Sequence, residues 1–198
     1  MNLTTKLKKE ISKNIDFDQM LPDKLPTYVS SFVYMFGSLT MGALIVLIIS
    51  GIIMVWQGPI WYESSQIGLF VRSIHFWGAQ VFFFFMILHF LSNFFIAGWR
   101  EGRILTWITG SLIFVISIIE AFTGFLIGGG FYAQWNQVQA KDVFSALGAT
   151  PVFNVLNNIQ MLGYHVVILP LVIVGLLMLH LFFIRYKGVV PPIENDRK

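Results

Sequence analysis

The chain has four histidines, and all four fall in two long apolar stretches: His75 and His89 in one, His165 and His180 in the other. An ionisable ring inside hydrocarbon is costly, so such residues are functional candidates by position alone. The separations are 14 and 15 residues, roughly 21 and 22 Å along a helix, and they turn by roughly −40° and +60°. Each pair therefore stays on one broad face of its helix. Two such helices facing one another would present two cross-helix pairs of imidazoles, one near each membrane surface. Two axial nitrogens suit the iron of a haem with no open coordination position, and hence electron transfer rather than oxygen chemistry. Zinc is less suited, because no Cys or carboxylate stands near these positions to complete a tetrahedral shell.

The glycines repeat the same period. Gly37 and Gly51, and again Gly110 and Gly124, have the same separation as His75 and His89. Glycine removes the side chain where another surface must come close to the backbone. Sharing the period of the ligands, these four positions point to two flat macrocycles packed in the bundle.

The elements that position these residues follow from composition. Of 198 residues, 56% are hydrophobic and 12% charged, against roughly 25% charged in soluble domains, and the mean hydropathy is +0.73. A soluble globular domain is excluded. The absence of Cys excludes a disulfide framework, a thiolate metal site, a catalytic Cys and thioether attachment of haem. Four apolar runs are long enough to cross roughly 30 Å of hydrocarbon: Phe32–Trp56, Ile74–Trp99, Leu105–Ile127 and Met161–Ile184. The pI of 9.2 does not mark a nucleic-acid binder, since the bases form no basic face with interleaved aromatics and lie outside these runs.

Eleven bases lie on one side of the four spans: Lys6, Lys8, Lys9, Lys13, Lys24, Arg100, Arg103, Arg185, Lys187, Arg197 and Lys198. Only Arg72 and Lys141 lie on the other, which places both termini in the cytoplasm of a cell bounded by this membrane. The fold class is an all-α membrane protein, a four-helix transmembrane bundle holding two haems with an N-terminal surface helix. Residues 1–30 form a cytoplasmic amphipathic segment, 31–187 the bundle and 188–198 a cytoplasmic tail. Leu3, Leu7, Ile11 and Ile15 recur at four-residue spacing among lysines and fit a surface helix over 2–20, broken at Pro22 and Pro26, with a solvated tether as the other reading. No cleaved targeting segment is expected. The 57–73 connection reads as a loop, and the 128–160 connection as a long loop whose second half, Thr150 to Gln160, forms a short surface helix started by Thr150 and Pro151.

Several motifs resemble the cytochrome b/b6 family of quinol-oxidising bc and b6f complexes. They are Arg72–Ser–Ile–His75, Met86–Ile–Leu–His89, Leu105–Thr–Trp–Ile–Thr–Gly110, Thr123–Gly124–Phe125 and Met178–Leu–His180 followed by Arg185 and Gly188. The longer spacing of the second histidine pair resembles the split cytochrome b6 type. The resemblance implies that His75 and His165 ligate a low-potential haem near the outer surface, and His89 and His180 a high-potential haem on the cytoplasmic side. It places Arg72 beside the outer propionates, Arg103 with Trp107 at the inner level, and Arg185 near the inner haem and quinone pocket. It implies quinone and quinol as substrate, coupling to proton translocation, and an electron-transfer subunit within a quinol:cytochrome c or similar oxidoreductase. The partners would be a Rieske iron–sulfur protein, a separate C-terminal cytochrome b-like subunit and a cytochrome c or other acceptor, in a dimeric complex within membrane lipid. Glu120, the one carboxylate inside a span, lies four residues before Gly124 and is expected on the outer quinol or proton path. Glu63 and Asp142 read as solvated loop charges.

The chain departs from the family at three places. Met35 stands where the chloroplast type has the Cys that attaches an extra haem, so no covalent third haem is expected. The Gly-Tyr-x-Leu-Pro-Trp segment is replaced by Gly124–Phe–Leu–Ile–Gly–Gly–Gly and a later Gln134–Trp–Asn–Gln137. The Pro-Glu-Trp-Tyr motif is absent. Two other readings remain open on the residues: a cytochrome b anchor of a hydrogenase or formate dehydrogenase, and a haem transport or chaperone protein.

Overall fold

The computed structural model of the chain describes residues 27–193; the amphipathic helix over 2–20, its break at Pro22 and Pro26, and the last five residues lie outside them. A backbone in hydrocarbon must satisfy its own hydrogen bonds, so each long apolar run becomes a helix. After a 3₁₀ turn at Thr27–Ser30, helix α1 runs Phe32–Gln57, α2 Pro59–Ser64, α3 Gln66–Phe95, α4 Ile104–Ile127 and α5 Gly130–Ala146. α6 is Asn158–Gly163, followed without a break by a π-helical turn, Tyr164–Ile168, and by α7, Leu169–Lys187. Four pieces are long and apolar enough to span a membrane: α1, α3, α4 and the continuous stretch Asn158–Lys187. Their outward side chains are open, as lipid-facing residues are: Ile52 is 62% exposed, Leu171 67% and Met178 65%.

The connections differ from their sequence reading. The 57–73 stretch is helical, not a loop: Gly58, at φ 82°, ends α1 and Pro59 begins α2, since proline fits the first helical position. Ser65 then caps α3, its Oγ accepting from the Gly68 N–H at 2.9 Å, so the second span starts well before Ile74. In the 128–160 stretch, α5 fills the first half, and the helix expected over Thr150–Gln160 does not form before Asn158. Side chains there compete for the backbone. Asn154 Oδ1 accepts from the Leu156 N–H and Gln160 Oε1 from the Asn154 N–H. The helix begins only where Asn157 caps it.

The bundle is two helix pairs. α1 packs along α3, and α4 along α7, whereas α3 and α4 meet at few places. Phe82, Met86, Ile113 and Ile173 form a buried cluster, drawn from both pairs at a height between the two layers of histidines. At one end, called here the terminal end, the two described chain ends meet. Tyr28 and Tyr34 donate from Oη to the carbonyls of Val189 and Val190, at 3.2 and 2.9 Å. Arg100 donates to the carbonyls of Pro191 and Pro192, so residues 188–192 are strapped across this end. The opposite end, the loop end, carries α2 and α5. There a second buried cluster of Leu126, Val155 and Met161 joins α4 to the 153–161 segment, and Gln137 Nε2 donates to Leu126 O at 3.2 Å.

The π turn answers the longer spacing of the second histidine pair. An i→i−5 turn absorbs one residue beyond the α-helical repeat, and here the Leu169 N–H bonds to Tyr164 O. Pro170 lies just beyond, where a regular helix would lose a hydrogen bond and crowd its ring against a carbonyl. His165 and His180 are thus brought back into phase.

Candidate functional site

The two histidine pairs form across the gap between the helix pairs. The rings of His75 on α3 and His165 in the π turn lie with centroids 6.2 Å apart and planes at 82°. Those of His89 on α3 and His180 on α7 are 6.5 Å apart at 87°. The four histidines are thus brought together as two cross-bundle pairs, one toward each end.

Each imidazole lies against one of the four glycines. A Cβ on Gly124 would stand 2.5 Å from Cε1 of His165, on Gly37 2.9 Å from His89, on Gly110 3.0 Å from His180 and on Gly51 3.3 Å from His75. Real Cβ atoms essentially never come below 3.0 Å. The surface that approaches these glycines is therefore the ring of each candidate ligand.

The rings are also held from behind. Ser50 Oγ lies 2.9 Å from His75 Nδ1, Thr109 Oγ1 3.1 Å from His180 Nδ1 and Thr123 Oγ1 3.4 Å from His165 Nδ1. All three hydroxyls are buried, and each donates its own proton to a carbonyl of its helix. A lone pair is left to accept from the Nδ1–H, which fixes the tautomer and leaves Nε2 as the free donor atom toward the gap. Two carbonyls reinforce this, Thr106 O at 2.9 Å from His180 Nδ1 and Glu120 O at 3.0 Å from His165 Nδ1. His165 and His180, on the longer spacing, thus meet partners on the shorter period of the glycines, the register that the π turn restores. His89 is the exception. Phe36 precedes Gly37 where the other three glycines follow a hydroxyl residue, and what faces the His89 Nδ1 is Asn93 Nδ2 at 3.2 Å, a donor that also bonds His89 O and cannot accept from an Nδ1–H.

These supporting residues have no counterpart in the sequence reading, although a hydroxyl residue immediately before three of the four glycines is a visible signal. Glu120 also stands differently from its reading. The sequence places no carboxylate beside the ligands, yet Glu120 Oε1 lies 3.1 Å from His165 Nδ1, and its Oε2 is buried with no hydrogen-bond partner.

The arginines are spread over both ends. Arg72 Nη2 donates to Gly128 O at 3.1 Å, tying α3 to the end of α4 at the loop end. Arg103 turns to the strap, donating from Nε to Gly188 O and from Nη2 to Lys187 O, each at 3.1 Å, with Nη1 2.9 Å from Glu101 Oε2. Arg185 is exposed on α7. Trp107 stacks on Phe90 at 5.2 Å, one of the few links between α3 and α4. An open apolar cleft of about 360 Å³ is lined by Ile118, Ile119 and Phe122 of α4 with Phe144 and Phe153.

Residues 80–198 match the family profile described as cytochrome b (N-terminal)/b6/petB. The chain belongs to this cytochrome b family. The matched stretch holds His89, His165, His180, Gly110 and Gly124. The cytochrome b6 of Heliobacterium mobile is similar at 26% identity over 194 residues, covering 85% of this chain and 90% of that protein. The menaquinol:cytochrome c reductase cytochrome b subunit of Geobacillus thermodenitrificans is 27% identical over 190 residues, covering 84% of each. A solved chain described as a hyperthermophilic respiratory Complex III shares the fold, with a TM-score of 0.74 at 23% identity over 98% of this chain and 56% of that one.

Membership in the cytochrome b family implies b-type haem, and the residues fit it. A metal–nitrogen bond of about 2 Å on either side, with roughly 1.1 Å more from each nitrogen to its ring centre, separates two axial imidazoles by about 6.2 Å. The two observed separations lie at or just above that value. Each pair offers two ring nitrogens, the number that a porphyrin-bound iron can take from the protein.

Proposed function

We propose that this chain is the dihaem cytochrome b subunit of a membrane quinol oxidoreductase of the bc/b6f type, with His75 and His165 holding one b haem and His89 and His180 the other. The observation that carries the reading is the pair of imidazole pairs at 6.2 and 6.5 Å, stacked along the bundle and buttressed at Nδ1. The bound haems supply one-electron transfer across the membrane, between quinol oxidised at the loop end and a quinone site at the terminal end, coupled to proton translocation.

The chain's own residues divide the work. The glycines admit the ligand rings, and Ser50, Thr109 and Thr123 keep the Nδ1–H of His75, His180 and His165 in place so that Nε2 points into the gap. The buried cluster of Phe82, Met86, Ile113 and Ile173 keeps water from the space between the two levels. The apolar cleft at Phe122 and Phe144 fits the ring and tail of a quinol, and Glu120, through its unpartnered Oε2, belongs to the outer proton path. Arg72 at the loop end is positioned for the outer propionates, Arg185 serves the inner level, and Arg103 serves it indirectly, through the strap that it holds at Lys187 and Gly188. Arg100, Arg103, Arg185 and Lys187 gather at the terminal end, against Arg72 and Lys141 at the other, which supports cytoplasmic termini in the plasma membrane. The partners are a Rieske protein, a C-terminal cytochrome b-like subunit and a cytochrome c or other acceptor, in a dimeric complex. The family match favours this reading over a hydrogenase or formate dehydrogenase anchor and over haem transport.

The test is a redox titration of the purified membrane complex with reduced-minus-oxidised spectra. Two low-spin b centres at separate potentials are expected, with a Rieske subunit co-purifying. One centre, or a high-spin centre, overturns the proposal.

A further inference from the structure

On α4 two positions, Thr106 and Glu120, stand in the same relation to a ligand. Each places a backbone carbonyl within 3.0 Å of a histidine Nδ1, and Thr109 and Thr123, three residues on, each add a hydroxyl. The side chains at 106 and 120 break this equivalence. At the terminal end the residue is a neutral threonine. At the loop end it is a glutamate whose Oε1 lies 3.1 Å from His165 Nδ1 and whose Oε2 is buried and unpartnered. A carboxylate oxygen thus stands at the Nδ1 of a candidate ligand, the place from which a carboxylate tunes a metal-bound histidine.

We propose that Glu120 is a positioning residue that acts through His165 to hold the loop-end haem at a lower reduction potential than a neutral residue at 120 would give. The inference rests on the reading that His165 ligates a b haem. A carboxylate that accepts the Nδ1–H pulls the proton away from the ring and makes Nε2 a stronger donor. A stronger axial donor favours the oxidised, more positive iron, which lowers the potential. The low dielectric of the bundle interior enlarges any such effect of a nearby charge. Nothing equivalent acts on His180 among the described residues, so one substitution along a repeated pattern separates two otherwise matched sites.

The experiment is a redox titration and low-temperature EPR of the intact complex carrying Glu120→Gln and, separately, Thr106→Glu. Gln keeps the shape and an accepting oxygen but removes the charge. The loop-end haem is expected to become at least tenfold easier to reduce, about 59 mV for one electron, with a shifted low-spin EPR signal, while the other haem keeps its potential. Thr106→Glu is expected to transplant the effect, making the terminal-end haem harder to reduce by a similar factor. An unmoved loop-end potential in Glu120→Gln with both haems present overturns the inference. So does a potential shift with an unmoved EPR signal, because Glu120 would then act as a distant charge and not through its ligand. If Glu120→Gln does not retain haem, the Thr106→Glu potential decides: unchanged or raised, it overturns the inference. A wild-type preparation with fewer than two haems sinks the dihaem reading instead.

Discussion

At the loop end, His75 and His165 face each other between Ser50 and Thr123, one ring lies in a π turn, and a carboxylate touches that ring. At the terminal end, His89 and His180 face each other between Asn93 and Thr109, both rings lie on regular helix, and Arg100 and Arg103 are engaged with the strap at 187–192. The ring separations are nearly equal, at 6.2 and 6.5 Å. Geometry is therefore duplicated while electrostatics is not. The two imidazole pairs are alike, and what differs is the side chains that stand behind them.

The largest effects should come from the proposed ligands. His165→Ala is expected to remove the loop-end haem and about half of the reduced-minus-oxidised b-band amplitude, and His180→Ala the other half. Loss of both haems from either variant would mean that the two ends do not fold as separate sites.

Next in size are the glycines, and here the two ends make different demands. Gly124→Ala puts a Cβ 2.5 Å from His165, while Gly51→Ala leaves 3.3 Å to His75. Overpacking of the first kind costs about 1–3 kcal/mol, so loop-end haem occupancy should fall roughly tenfold in Gly124→Ala and change little in Gly51→Ala. Gly37→Ala and Gly110→Ala, at 2.9 and 3.0 Å, should resemble one another. Equal losses at Gly51 and Gly124, read by haem-to-protein ratio, would show that ring clearance is not what these positions provide.

A smaller effect belongs to the hydroxyls. Thr109→Val and Ser50→Ala each remove one accepting oxygen, worth about 1 kcal/mol, or roughly fivefold in haem retention measured by competition with apomyoglobin. Thr123→Val should cost less, because His165 keeps both oxygens of Glu120 that face it. The smallest effect on either haem is expected from Arg103→Ala. It frees the carbonyls of Lys187 and Gly188 and should speed amide exchange over 188–192 while both b bands stay in place. A moved terminal-end band would instead tie Arg103 directly to that haem.

Much of this bundle can be read from the chain because hydrocarbon imposes lengths and periods. Phe32–Trp56 and Leu105–Ile127 coincide within a residue with α1 and α4, since apolar runs end where the membrane does. The period shared by the histidines and glycines marks the candidate site in the sequence alone. What escapes the sequence depends on contacts made across space. α5 has few runs of apolar residues, and it is fixed by Gln137, which donates to Leu126 O on α4 and to Asn158 Oδ1. The expected helix at Thr150–Gln160 loses to side chains of Asn154 and Gln160 that bond the backbone more locally. Glu120 is legible as a carboxylate in a span, but His165, far along the chain, cannot be read as its neighbour without the fold.

The π turn at Tyr164–Ile168 also bears on how such a chain can change over time. In a regular helix a one-residue insertion rotates everything beyond it by about 100° and shifts it by about 1.5 Å, which would tear one ligand from its partner. Held in a bulge, the same insertion is confined to a single turn. The half of the helix bearing His180 is insulated from it, and the histidine at the other end can be re-aimed on its own. A helix built this way can accept a change in histidine spacing as one tolerated step, with the register of both imidazole pairs kept.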